Sequence, residues 1–236
     1  MSAHAAPREI SRSARHPVPA AIVSDRTSWM QALEEGRETL RATGAVLHFS
    51  QDREVFAQGT SAEVFYKVVS GVVRTCKFLS DGRRQIEAFH IAGDVFGFEH
   101  GDVHPLSAEA VSDCNLISYR RRNVEAAAMH DQTLSRQLFA FAMHSVVGAQ
   151  QHALLLGRRC AAEKVAIFLL EFSARANDAA AIVLPMTRQD IADYLGLTIE
   201  TVSRTLSQME RGRLIEIPNA RQIVLKNRDA LEAITI

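Results

Sequence analysis

A chain of 236 residues, 47% of them apolar, can bury one large core or two modest ones. Its 27 Lys/Arg balance 27 Asp/Glu, and residues 181–236 hold seven of each, so total charge points to no nucleic-acid partner and any such reading must rest on pattern. Cys76, Cys114 and Cys160 are odd in number, far apart and without a CxxC pair, which argues against a disulfide framework and against the usual spacing of a zinc or iron–sulfur site.

No apolar run approaches the roughly 18 residues of a bilayer span, so a cytoplasmic protein with no membrane partner is expected. Residues 1–28 carry Arg8, Arg12 and Arg15 among Pro7, Pro17 and Pro19, and read as a flexible leader, not a signal peptide. A short helical pattern follows at Trp29–Leu40. Between Ala45 and Tyr119 the chain turns to short β-rich runs: AVLHF (45–49), EVFYKVV (63–69), VVRTCKFL (72–79) and LISY (116–119). Gly59, Gly71, Gly82 and Gly93 punctuate them at gaps of 12, 11 and 11, and Asp81-Gly82 is a hairpin signal by itself. Even spacing with turn residues predicts a small barrel or double-sheet roll over 29–130.

From Asn123 to about Asn177 the pattern is helical and free of Pro. A helix over 131–157 would be roughly 40 Å long at about 1.5 Å per residue. Its stripe Phe139, Ala142, Val146, Ala149, Ala153 and Leu156 runs at alternating gaps of three and four, the seam of a paired helix. A second apolar set, Leu134, Leu138, Phe141 and Leu155, lies on an adjoining face. One face would meet the roll and the other a twin chain, giving a homodimer; the bland alternative buries both within one chain.

Residues 158–236 end with strand, helix, turn, helix, strand, strand and helix character. Pro185 and Thr187 open the first helix, Gly196 ends it, and Pro218-Asn219 marks a hairpin turn between LIEI and QIVL. Ala192 is small where two helices must cross, Gly196 supplies a tight turn, and Val202 faces inward with Ile191, Leu195, Leu197 and Leu206. That spacing predicts a helix-turn-helix. Thr198 caps the second helix, and Glu200 suits the dipole at its start. With Val202, Leu206 and Met209 inward, Ile199, Glu200, Ser203 and Arg204 face double-stranded DNA as base readers: Glu200 toward cytosine N4, Arg204 toward guanine, Ile199 toward a thymine methyl. Thr187, Arg188, Thr198, Ser207, Gln208, Arg211 and Arg213 are candidate backbone contacts. The bland alternative pairs Glu200 with Arg204 at i and i+4 on a solvated face.

The stretches DGRRQIEAFHIAGDVFGFEHG (81–101) and MTRQDIADYLGLTIETVSRTLSQMERGRLIE (186–216) resemble the Crp/Fnr superfamily, most closely its FixK branch, and the likeness covers about residues 30–236. The resemblance implies an α+β fold. It would comprise an N-terminal β-roll like the cyclic-nucleotide-binding domain (a double-stranded β-helix), a long dimerisation helix and a C-terminal winged helix-turn-helix. It also implies a target like TTGA, a spacer and TCAA, with the family's Glu, Ser and Arg readers falling on Glu200, Ser203 and Arg204. Activation of micro-oxic respiration or nitrogen-fixation genes follows from the same likeness. So does a contact with RNA polymerase through the turn Asp81-Gly82-Arg83, with the loop around Asn177-Asp178 as another candidate; repression is the alternative, and any hairpin tip is polar. Where cyclic-nucleotide binders present Arg-Ser, this chain has Leu106-Ser107, and an apolar Leu cannot neutralise a phosphate. Cys114 resembles the lone roll cysteine of oxygen sensors, but residues 1–75 hold no cysteine. Some FixK-type chains carry a thiol where this one has Thr187. DNA binding without a cofactor, metal or small effector is therefore expected.

Two rivals remain. A metal-dependent cupin enzyme would use His48, His90, His100, His104 and Glu99, but its H-x-H pair is absent and no phosphate loop or nucleophile elbow occurs, so no enzyme is expected. The same fold could instead hold haem, nitric oxide or an organic acid in the roll through those histidines, Cys76 or Cys114.

Overall fold

Among the described residues, eight strands, all paired antiparallel, build the N-terminal roll: β1 (Ala45–Phe49), β2 (Glu54–Phe56), β3 (Val64–Ser70), β4 (Val73–Phe78), β5 (Arg84–His90), β6 (Val95–Phe96), β7 (Ser107–Ala110) and β8 (Cys114–Arg120). The structure is a computed structural model that describes residues 44–158, 160–175 and 180–235; the leader expected over 1–28 and the helix expected at Trp29–Leu40 lie outside them. One sheet has the order β1-β8-β3-β6 and the other β2-β7-β4-β5, which is the expected double-sheet roll. Phe56, Val68, Val73, Phe96, Ala108, Ala110, Cys114 and Leu116 fill the space between them. The four evenly spaced glycines all have positive φ, and Gly71 is the most constrained: a Cβ there would lie 2.3 Å from the Asp113 carbonyl. Gly82 turns the β4–β5 hairpin, whose exposed tip is closed by an Arg83–Asp81 ion pair at 2.7 Å.

The β4–β5 ladder slips between Thr75 and Cys76, which face Ala88 and Ile86, so Glu87 is an extra residue. This bulge breaks the period-two alternation and turns both Ile86 and Phe89 to the same buried cluster.

The region expected to be helical from Asn123 onward is three helices: α1 (Arg121–Ala128), α2 (Gln132–Gly157) and α3 (Ala161–Arg175). Asp131 separates the first two by capping α2, accepting from Thr133 N at 2.9 Å and Leu134 N at 3.1 Å. Helix α2 matches the expected 131–157 element. Leu134, Leu138 and Phe141 pack on the roll with Phe65, Val95, Tyr119 and Val124. Leu155 joins instead a cluster containing Val165, Leu169, Ile191 and Leu206. On the opposite side Phe139, Ala142, Val146, Ala149 and Ala153 are exposed, Phe139 at 69%. Leu156, read as part of that stripe, is only half exposed, because its δ2 carbon lies against Gly196.

After α3 come β9 (Ala181–Val183), α4 (Arg188–Leu195), α5 (Ile199–Arg211), β10 (Ile215–Asn219), β11 (Gln222–Leu225) and α6 (Arg228–Ile234), with the sheet order β10-β11-β9. The hairpin turn falls at Ala220-Arg221, two residues past the expected Pro218-Asn219. Pro218 sits within β10 where the ladder register shifts, a place where a missing N–H is tolerated. The core of this half does not stop at its own edge: Val72, Cys76, Ile86, Phe89 and Val111 of the roll belong to the same buried cluster. No described helix is long and apolar enough to cross a membrane.

Candidate nucleic-acid interface

The helix-turn-helix is built by local chemistry at three points. Thr187 and Asp190 form a reciprocal capping box: Asp190 N donates to Thr187 Oγ1 at 3.1 Å, while Thr187 N and Oγ1 donate to Asp190 Oδ2 at 2.9 and 2.8 Å. Gly196 ends α4 at φ +61°, a left-handed conformation that a Cβ would strain. Ala192 and Val202 are fully buried where α4 and α5 cross, with Leu195, Leu206 and Met209 around them.

That packing turns the other side of α5 outward. Ile199, Glu200, Ser203, Arg204, Ser207 and Gln208 are all exposed, spread over the helix's first three turns. Thr198 caps α5 by accepting from Thr201 N at 3.3 Å. The Glu200 carboxyl is held below its usual range by its own backbone N–H and then by the Thr198 hydroxyl. The side chain is thus an ionised acceptor at the helix start, where the dipole favours it. Among the described residues no ion pair joins Glu200 to Arg204, in contrast to the bland solvated-pair alternative.

The backbone-contact candidates fare unevenly. Arg211 and Arg213 are exposed at the end of α5, Arg213 with φ +57° and Arg211 Nε donating to Ser207 O. Arg188 is half-buried, and burial pulls its guanidinium below its ordinary value. Among the described residues no carboxylate pairs with it to offset that desolvation. Thr187 is exposed, and in the capping box both its hydroxyl and its backbone N–H donate to Asp190. Thr198 likewise uses its hydroxyl oxygen as the cap. Arg221 was not singled out from sequence and stands exposed at the tip of the β10–β11 hairpin. The misplaced Pro218-Asn219 turn hid it, although an arginine between two short strands is itself a signal.

The residues of the two rivals are scattered. His48 is an exposed β1 residue bonded to Asn115, His100 is exposed, His90 lies against Thr75 Oγ1, and His104 is buried with its ring stacked 3.7 Å from that of Phe56. Among the described residues no group of three His, Cys, Asp or Glu is placed to hold a metal ion. Ser107, beside Leu106, accepts from Gln58 N at 2.9 Å.

A roll, a long helix and a capped, outward-facing second helix flanked by a β-hairpin define a transcription regulator of the winged helix-turn-helix class. Residues 163–234 match the Crp-like helix-turn-helix domain and residues 46–131 the cyclic nucleotide-binding domain. The nitrogen fixation regulation protein FixK of Azorhizobium caulinodans is 44% identical over 97% of this chain and 95% of its own length. The fumarate and nitrate reduction regulatory protein of Vibrio cholerae is 30% identical over 76% of this chain and 74% of its own. The structure of FixK2 from Bradyrhizobium japonicum is similar at a TM-score of 0.79, with 46% identity over 82% of this chain and 98% of that one. The chain belongs to the Crp/Fnr family of transcription regulators, in its FixK-like branch.

Proposed function

We propose that two copies of this chain pair along the exposed stripe of α2 and read a TTGA–spacer–TCAA palindrome as a cytoplasmic transcription activator. The single observation that carries this reading is the outward set Ile199, Glu200, Ser203 and Arg204 above the buried Val202, Leu206 and Met209. Glu200 accepts from a cytosine N4 and Arg204 forks onto the O6 and N7 of a guanine, which suits that half-site. Arg188, Arg211, Arg213 and Arg221 hold phosphates; a desolvated Arg188 gains the anion it lacks. The two α5 helices enter successive major grooves about 34 Å apart. The polar hairpin Asp81-Gly82-Arg83 is the surface offered to RNA polymerase. Relatives that regulate nitrogen fixation and fumarate and nitrate reduction support a target set of nitrogen-fixation and anaerobic or micro-oxic respiration genes.

The protein itself catalyses nothing and binds without cyclic nucleotide or iron–sulfur cluster. Leu106 stands where a phosphate would need a cation, and Cys114 is buried alone, its thiol pushed up by burial. Titration of the palindrome in anisotropy, with each half-site base changed in turn, tests the reading. Arg204→Ala should cost roughly 1–3 kcal/mol per half-site and relax the preference at one base pair. Equal loss on every sequence would make Arg204 a phosphate clamp. Metal-free, ligand-free protein that binds no palindrome would end the effector-independent reading.

A further inference from the structure

The last turn of α4 leaves carbonyls that its own helix cannot satisfy. Three of them in a row are taken by side chains from three other parts of the chain. Gln85 Nε2 of β5 donates to Asp193 O at 2.8 Å, His152 Nε2 of α2 to Tyr194 O at 2.9 Å, and Lys164 Nζ of α3 to Leu195 O at 3.0 Å. Because its partner is a carbonyl, the His152 Nε2 must carry the hydrogen. The His152 ring also stacks on Tyr194, centroids 4.3 Å apart and planes within 8°, and Leu156 one turn on abuts Gly196. The first helix of the reading pair is therefore gripped by the roll, by the long helix and by α3. Only Gly196, Leu197 and Thr198 separate that helix from α5, so the grip passes directly to the reading face.

We propose that this three-donor socket sets the spacing between half-sites that a dimer accepts, with His152 as the positioning residue that ties the reading head to α2. The inference rests on the homodimer reading above. The bases are read by side chains of α5 that touch no part of the socket, so the socket governs where the two heads stand and not which bases they prefer. Lengthening a spacer by one base pair moves a half-site by about 3.4 Å and turns it by about 34°. A head held from three sides cannot follow that displacement, whereas a loosened one can.

The test titrates the full-length protein with palindromes whose spacer is at its best length, or one or two base pairs longer or shorter. Wild type should lose about tenfold or more for each base pair away from the best length. His152→Ala should narrow that ratio by about fivefold, with discrimination against altered half-site bases kept and the dimer intact in sedimentation. His152→Gln, which restores a side-chain N–H donor, should recover the wild-type profile. Gln85→Leu, acting from the roll side and distant from α2, should flatten the profile in the same direction. The proposal is overturned if both His152→Ala and Gln85→Leu keep the wild-type shape, including a uniform weakening at every spacing. A wild type that is monomeric or indifferent to spacing instead removes the dimer reading beneath it, and that result is visible before any variant is made.

Discussion

Arg84 of β5 and Asp190 of α4 meet 106 positions apart in sequence, Nη2 to Oδ1 at 2.5 Å, and join the roll to the reading head. Arg74 Nη1 shares the same oxygen at 3.2 Å, while Glu109 lies 2.7 Å from Arg74 and Asp193 2.8 Å from Arg84. The other oxygen of Asp190 closes the capping box, so one carboxylate, 3% exposed, both starts α4 and docks it.

Asp190→Ala removes the return half of the capping box, the acceptance from Thr187 N, while the backbone N–H of residue 190 still donates to Thr187 Oγ1, and it leaves two largely buried guanidinium groups short of an anion. Together these should cost about 3–5 kcal/mol, seen as a lower denaturant midpoint. Arg84→Met should cost less, since Arg74 and Thr187 still serve the carboxylate. Equal losses in the two variants would show that the return half of the box contributes nothing beyond the ion pair.

The thiols should separate by reactivity. Burial first, and then the charge of Glu109, pushes Cys76 up to about 11, and burial raises Cys114 as well, while Cys160 is exposed. Only the thiolate attacks a disulfide reagent. At neutral pH the native protein should release one equivalent of an aromatic disulfide chromophore quickly and three after denaturation. Two fast equivalents would contradict the burial of one of the roll cysteines.

His104 should make the roll acid-sensitive. Burial, and then Arg121, holds its imidazole below the ordinary histidine value. As pH falls below about 6.5, the unfolded chain takes up a proton that the folded one refuses, so stability declines until the folded pKa is passed and is unaffected above that window. His104→Phe keeps a ring against Phe56 and removes the proton site. Paired thermal melts should show a constant offset at neutral pH and a wild type that loses ground to the variant in acid. Parallel curves throughout would place the acid sensitivity elsewhere.

The outward stripe of α2 can be tested apart from the fold. Phe139 and Val146 are 69% and 47% exposed, so Phe139→Glu and Val146→Glu should change monomer stability by no more than about 0.5 kcal/mol. Placed on a seam between twin helices, the same charges should shift sedimentation from dimer to monomer and abolish palindrome binding. A variant that sediments as the wild type does would move the dimer contact off this stripe.

What could be read from sequence was what short stretches decide for themselves. Ala192, Gly196 and Val202 lie within eleven residues and set the helix crossing and its turn unaided. AVLHF, a short apolar run after a glycine, became β1 with the same bounds. Strand β7, SAEA, carries no β-forming signal; its Ala108 and Ala110 are fully buried against Phe56, Phe96 and Leu116, a placement that depends on distant residues and not on local pattern. Strand β5 hid behind the Glu87 bulge, which spoils its alternation. Thr187 was correctly placed at the start of α4, where its hydroxyl donates to Asp190 three residues on. Gln85, His152 and Lys164 left no trace at all, since each meets its carbonyl 31 to 108 positions away.

The apolar cluster that runs from Ile86 and Phe89 into Phe168, Ile191 and Leu206 makes the reading head inseparable from its scaffold. A fragment excised at Ala161 would tear a single oily interior in two and bare both halves to water. Moving the C-terminal portion into another protein would therefore require a new apolar partner for the surface that Ile86 and Phe89 cover here.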